Sequence, residues 1–313
     1  MLDPLQPYRQ LCTTPSEAIR WACILEATAP KVGNVFPGQS FEDLSYIDFI
    51  AAAEITSNCF IHSELRISQR MLDSVTQVQA QQGTNVNLGI VLLLGPIVAA
   101  DEAMHEVRTT AETSSEASSE ASSEASSEIP EFSAWLSPIS RSLSRLDEVD
   151  GANIYTAIQK ATAGALGTSE QLDVNQAHES IDIREAMSVA KDRDQIAQQY
   201  NVEFRDLILN ITPILFNSIQ SAKDILTGIC HAQIHLLTRA PDTLIARKNG
   251  MQVACEVQTR AKSVNPNNVA HLDSFDHYLR SKGHKLNPGT TADLLAASLY
   301  LLLRTNPSEN NHE

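Results

Sequence analysis

The chain has 313 residues, 42% apolar and 19% charged, an ordinary globular composition with room for one large or two medium domains. Its 23 Lys and Arg against 38 Asp and Glu leave a net charge of −15. That balance, with no dense Lys/Arg run, argues against a nucleic-acid binder and fits a soluble cytoplasmic protein, yet leaves room for one polyphosphate ligand held by a few cations.

Cys12, Cys23, Cys59, Cys230 and Cys255 stand far apart and form no Cys-x-x-Cys pair, so neither a disulfide framework nor a structural zinc site is expected. The opening MLDPLQPYRQ has no basic or apolar region of the kind a signal peptide needs. The longest apolar run, 88–100, has 13 residues and contains Gly95-Pro96. That is too short to span a bilayer and reads as a buried helix, with no membrane partner.

In chain order, Ser16 is placed to cap a helix over 17–29 with Ala18, Trp21, Ala22 and Leu25 on one face. Helices follow over 45–60, 65–81 and about 87–107. Then comes SSEA-SSEA-SSEA-SSE. Residues 109–131 carry six carboxylates and no cation. Such a segment buries too little to offset the entropy of ordering, and predicts a flexible insertion. Helical spacing resumes over 134–146, 151–163, 181–190, 194–211, 213–237, 268–282 and 290–304, while 251–257 alternates like a strand. The class is all-α: one bundle-like domain of ten or more helices over 1–313, interrupted at 109–131.

No phosphate loop, dinucleotide fingerprint or nucleophile elbow occurs. His231 and His235 have zincin spacing, but Ala232 stands where the Glu would be, so no zinc is expected. Polar residues gather instead at helix ends in five places. They are Glu26…Lys31-Val-Gly-Asn34 with Asp43; Gly83-Thr-Asn85-Val-Asn87-Leu-Gly89; Asp192-Arg193-Asp194; Asp242-Thr243…Arg247-Lys248; and Asn287-Pro-Gly-Thr-Thr-Ala-Asp293. Turn and capping chemistry accounts for each alone. Lining one cavity, they would be a site.

Taken in this order, the clusters resemble the triphosphoribosyl-dephospho-CoA synthase family, from about Glu17 to Arg304 apart from the insertion. The first motif of that family, Glu-x-x-x-x-Pro-Lys/Arg-Pro-Gly-Leu-Val, is matched by Glu26 through Val35, and its Ala-His-x-Asp-Met by Ser40 through Leu44. Gly-x-Asn-Thr-His-Lys-Gly is matched by Gly83 through Gly89, Asp-Thr-Asn-Val-x-x-Arg-Gly-Gly by Asp242 through Gly250, and the terminal Ser-Pro-Gly-Gly-Ser-Ala-Asp-Leu-Leu-Ala by Asn287 through Ala296. Two departures stand out: Phe41 replaces a His, and Asn87-Leu88 replaces a His-Lys pair.

The resemblance implies an all-helical pentosyltransferase. It would join C1′ of the ATP ribose to the 2′-hydroxyl of 3′-dephospho-CoA and expel adenine. An oxocarbenium-like displacement calls for carboxylates; Glu26, Asp43, Asp242 and Asp293 are the catalytic candidates. Mg2+ would accompany ATP, with Asp43 and Asp242 as its ligands. Lys31, Asn34, Asn85, Asn87, Thr243, Arg247, Lys248 and Asn287 would bind the nucleotide and its acceptor. The lost His-Lys pair opens two alternatives, a related ribosyl or phosphoribosyl transfer in another cofactor pathway (one-carbon, methanopterin-type) and a non-catalytic helical scaffold.

Overall fold

The computed structural model describes residues 3–83, 86–114, 132–164 and 182–305. The fold is all-α. Helices α1 (Gln6–Arg9), α2 (Pro15–Thr28), α3 (Tyr46–Phe60), α4 (Ile67–Gln82) and α5 (Leu88–Ser114) form the first half. A 3-10 turn (Phe132–Trp135) leads into α6 (Leu136–Ser144), then α7 (Glu148–Gly164), α8 (Ile183–Ala190) and α9 (Gln195–Asn201). A π-helical turn (Leu207–Ile211) precedes α10 (Thr212–Ala222) and α11 (Ile225–Arg239). The chain ends with α12 (Thr243–Asn249), α13 (Met251–Ala261), α14 (Val269–Arg280), an extended segment (Ser281–His284) and α15 (Gly289–Arg304).

α15 is the axis of the body. Every residue from Leu294 to Leu303 is buried, so the helix is packed on all sides, by α2, α5, α10 and α11. Tyr300 Oη donates to Asp101 Oδ2 at 2.6 Å and Arg304 Nε to the same oxygen at 2.6 Å, fastening α15 to α5. A second, smaller apolar cluster joins Val32 and α11 (Ile234, Leu237) to α12, α13 and α14 through Ile245, Val257 and Leu279. The ends of α2 and α15 facing this layer carry the polar residues of interest.

Several local readings are corrected. Thr14, not Ser16, caps α2, exchanging hydrogen bonds with Glu17 in a capping box; Ser16 is buried and donates to the Ser57 carbonyl at 2.9 Å. The helix expected over 194–211 stops at Asn201. Glu203 and Phe204 turn left-handed (φ 51° and 61°) with the Phe204 ring fully buried, so packing overrides the helical pattern. The helix expected over 213–237 is two: Lys223 is left-handed (φ 57°) and Asp224 caps α11. Residues 251–257 are helical, and Ala254, Val257 and Ala261 face the core at spacings of three and four. The apolar helix is longer than its 13-residue run: 88–107 reaches bilayer-spanning length by composition, but most of it is buried inside the body. α5 continues to Ser114, into the segment expected as an insertion; the rest of that expectation, 115–131, lies outside the described residues.

Candidate active site

The first residues of α5, α9, α12 and α15 meet at one place, and Asp293 stands at its centre. A Cβ on Gly89, in the first turn of α5, would lie 2.0 Å from Asp293 Oδ2 and 2.7 Å from Ile196 Cδ1 of α9. Only glycine admits this approach. Asp293 has no hydrogen bond or ion pair among the described residues. Burial, followed by the negative charges of Glu26, Asp242 and Asp194, pushes its carboxyl well above the ordinary 3.8; Arg247 opposes them. A carboxyl so placed favours its protonated form.

Two aspartates frame this centre. Asp242 Oδ1 caps α12, accepting from the amides of Leu244 and Ile245 at 2.9 and 3.1 Å; Oδ2 accepts from the amide and hydroxyl of Thr291, both at 2.8 Å. All four lone-pair directions are thereby used, and the residue is 1% exposed. Burial pushes its carboxyl up from the ordinary value, and these donors pull the other way. Asp242 is therefore a strap between α12 and α15. Expected as a catalytic carboxylate and metal ligand, it has both oxygens engaged by protein donors in this structure. Thr243 serves the same junction, accepting from the Gln195 amide at 3.2 Å, with its hydroxyl 3.2 Å from that of Thr290. Asp194 caps α9 through Oδ1, which leaves Oδ2 facing Arg247 at 3.7 Å.

Behind the centre lies a buried ion pair. Lys31 Nζ is 2.9 Å from Glu26 Oε1 and also donates to the Glu26 carbonyl, with the side chains 1% and 5% exposed. Lys31, expected on the phosphates, pairs with Glu26 in this structure and closes the end of α2. The next turn is locked to the C-terminal half. Gly33, at φ 72°, leaves no room for a Cβ, which would lie 2.8 Å from Leu279; its amide donates to Asp276 Oδ1 at 2.7 Å. Asn34 Nδ2 donates to Asn287 Oδ1 at 2.6 Å, and Gln233 Nε2 to Asn34 Oδ1 at 2.7 Å. Asn34 and Asn287, 253 positions apart, thus share one buried chain of amides.

The outer rim is exposed. Asp43 Oδ1 lies 3.1 Å from His284 Nδ1, and the side chains are 65% and 43% exposed. Lys248 sits between partners: partial desolvation and the Arg247 cation push its ammonium down, and Asp43 and Asp242 oppose this. The Asn87 side-chain amide donates to Thr56 Oγ1 at 2.9 Å and Ser74 Oγ at 3.1 Å, between α3 and α4. Asn85 lies outside the described residues. Among the described residues no group of three or more His, Cys, Asp and Glu is arranged to hold a metal. Sequence reasoning left out Asp194 as a site residue, although its cluster was visible, and missed Gln233, Arg280 and His284, which no motif marks. A cavity of about 490 Å³ beside Ala99, Ala103, Arg141 and Arg145 shares no residue with this centre.

The fold and this centre describe an all-helical protein whose polar residues converge from both ends of the chain. The chain matches CitG, the ATP:dephospho-CoA triphosphoribosyl transferase family, over residues 12–312, and belongs to that family of transferases acting on ATP and dephospho-CoA. Among solved structures it resembles a protein from Archaeoglobus fulgidus described as a candidate triphosphoribosyl-dephospho-CoA synthase. The TM-score is 0.60 at 21% identity, covering 82% of this chain and 99% of the other, and the likeness is one of fold. No curated protein matches the chain.

Proposed function

We propose that this chain is a pentosyltransferase that moves the 5-triphosphoribosyl group of ATP onto the 2′-hydroxyl of 3′-dephospho-CoA and releases adenine. The observation that carries this reading is Asp293: a carboxyl without a hydrogen-bond or ion-pair partner among the described residues, held toward its protonated form beside Glu26 and Arg247. Breaking the bond between C1′ and adenine leaves charge on the base and develops positive charge on the ribose. Asp293 donates a proton to the departing adenine. Glu26, whose charge bears on Asp293 from behind the centre, lends negative potential to the ribose. Arg247, with its side chain 63% exposed, and Lys248 meet the phosphates.

Magnesium belongs to this reading as the companion of ATP. Asp194, with Oδ2 outside its cap, is the residue to hold it, and Asp43 a second on the rim. When bound, the ion neutralises phosphate charge. The test is incubation with ATP, Mg2+ and dephospho-CoA, with chromatography for adenine and mass spectrometry for an acceptor heavier by the triphosphoribosyl group. No adenine with any acceptor refutes the reading.

One observation favours a second acceptor. Asn87 and Leu88 replace a His-Lys pair, and Asn87 is turned into the α3–α4 packing. Adenine release with another hydroxyl acceptor, and none with dephospho-CoA, would establish that version.

A further inference from the structure

We propose that the cavity between α5 and α6 is a second ligand site, which takes a small organic anion with an apolar body, an alkyl carboxylate or alkyl phosphate. It shares no residue with the centre at Asp293 and does not depend on the transferase reading.

The hollow follows from the sequences of two facing helices. α6 and its C-cap present Pro138, Arg141, Ser142 and Arg145, at spacings of three and four. α5 presents Ala99, Ala103 and Val107, four apart. The two helices pack together, but Ala99, Ala103 and Ser142 are too short to fill the space between them. About 490 Å³ is left, within the range of roughly 300–1,000 Å³ that small-molecule sites occupy. Ile67, Met104 and Leu146 also line it, packed on the core from one side and only partly buried. Apolar wall is thus left uncovered, and a ligand that covered it would gain the free energy of that burial.

The mouth is positive. Three arginines, Arg66, Arg141 and Arg145, line the cavity with one acid, Asp150. Asp150 is occupied: Oδ1 accepts from Ser68 Oγ at 2.6 Å, and Oδ2 from Arg66 Nη1 at 3.3 Å and the Asp147 amide at 3.1 Å. Arg66 is paired with it and, at 2.7 Å, with Asp147. Arg141 and Arg145 are exposed and have no carboxylate partner among the described residues; the Arg141 guanidinium reaches only Ser137 Oγ there, at 3.5 Å. They stand one helical turn apart, so both can meet a single anionic head group. In a chain of net charge −15, two such cations beside an apolar hollow are a local exception. The combination selects the ligand. An inorganic anion leaves the walls bare, and a neutral hydrocarbon leaves the arginines unmet.

The competing explanation is that the arginines only complement the negative end of α6, where Arg141 lies in the last turn. What the full-length chain binds separates the two. Calorimetry should show saturable one-to-one binding of octanoate or octyl phosphate, with acetate and octan-1-ol each at least about tenfold weaker. Replacing both arginines, Arg141→Gln with Arg145→Gln, should weaken octanoate binding by about tenfold or more, through lost charge-assisted hydrogen bonds. Ala103→Leu should abolish it by filling the hollow. In methyl-labelled protein, octanoate should shift the Met104 signal, assigned through Met104→Leu, far more than that of Met251.

The proposal is overturned if Met104 is unmoved at saturating octanoate, if the double variant binds octanoate as tightly as the parent, or if octan-1-ol binds as tightly as octanoate. Lost thermal stability in the double variant, with no anion bound by the parent, establishes the helix-end role instead. Binding to phosphatidylglycerol vesicles without binding to any monomeric anion also overturns it, and assigns this face to a membrane surface.

Discussion

Replacing Lys31 by methionine tests whether the ammonium serves the fold or the nucleotide. The substitution keeps volume and removes charge. Lys31 and Glu26 are 2.9 Å apart with side chains 1% and 5% exposed, so the Glu26 carboxylate would be left buried and unpaired. Breaking a buried pair from one side costs about 3–5 kcal/mol. At about 2 °C per kcal/mol, the lower end for larger domains, the unfolding midpoint falls by roughly 6–10 °C. Replacing both partners together, Glu26→Leu with Lys31→Met, should recover most of that loss, because no charge then remains in the interior. Differential scanning fluorimetry across the four proteins of the cycle, with ATP binding measured in parallel, gives the answer. If Lys31→Met unfolds at the parent temperature yet binds ATP poorly, the ammonium contacts phosphate and the reasoning is wrong.

Asp293→Asn should stabilise the protein at neutral pH while abolishing adenine release. The folded carboxyl titrates well above its ordinary 3.8. Between those values the folded state holds a proton that the unfolded chain has lost, so stability declines as pH rises through the window. The asparagine variant should show a flatter profile from about pH 4 upward, read from chemical denaturation at several pH values; an unchanged slope counts against the charge cluster. Gly89→Ala should cut turnover at least tenfold, since a Cβ there would lie 2.0 Å from Asp293 Oδ2. Overpacking of about 1–3 kcal/mol is partly offset by the helix preference for alanine of about 1 kcal/mol. Activity should therefore fall far more than thermal stability, and parent-like turnover would mean that Asp293 tolerates displacement.

The all-helical class was legible because apolar spacing of three and four recurs along the chain, and the order of the polar clusters was legible because each sits at a helix end. The breaks were less visible. Nothing in the continuous apolar pattern around Lys223-Asp224 announces a left-handed lysine followed by a cap. Residues 251–257 alternate in sequence, and only the partners of Ala254 and Val257 settle them as helical. At the site, residue type marked Asp242 as a catalytic and metal candidate and Lys31 as a nucleotide-binding one, but not the protein partners each has inside the fold. That depends on Thr291, 49 positions from Asp242, and on the depth at which Glu26 is buried. His284 carried no signal, since its partner is an aspartate 241 positions earlier.

The length of α5 carries the described chain well away from Asp293. Gly89 touches the Asp293 side of the molecule, and the helix then climbs through 25 further residues to Ser114, about 38 Å at 1.5 Å per residue. The register of Gly89 against Asp293 is therefore fixed at one end of a long helix, independently of changes in sequence beyond its other end.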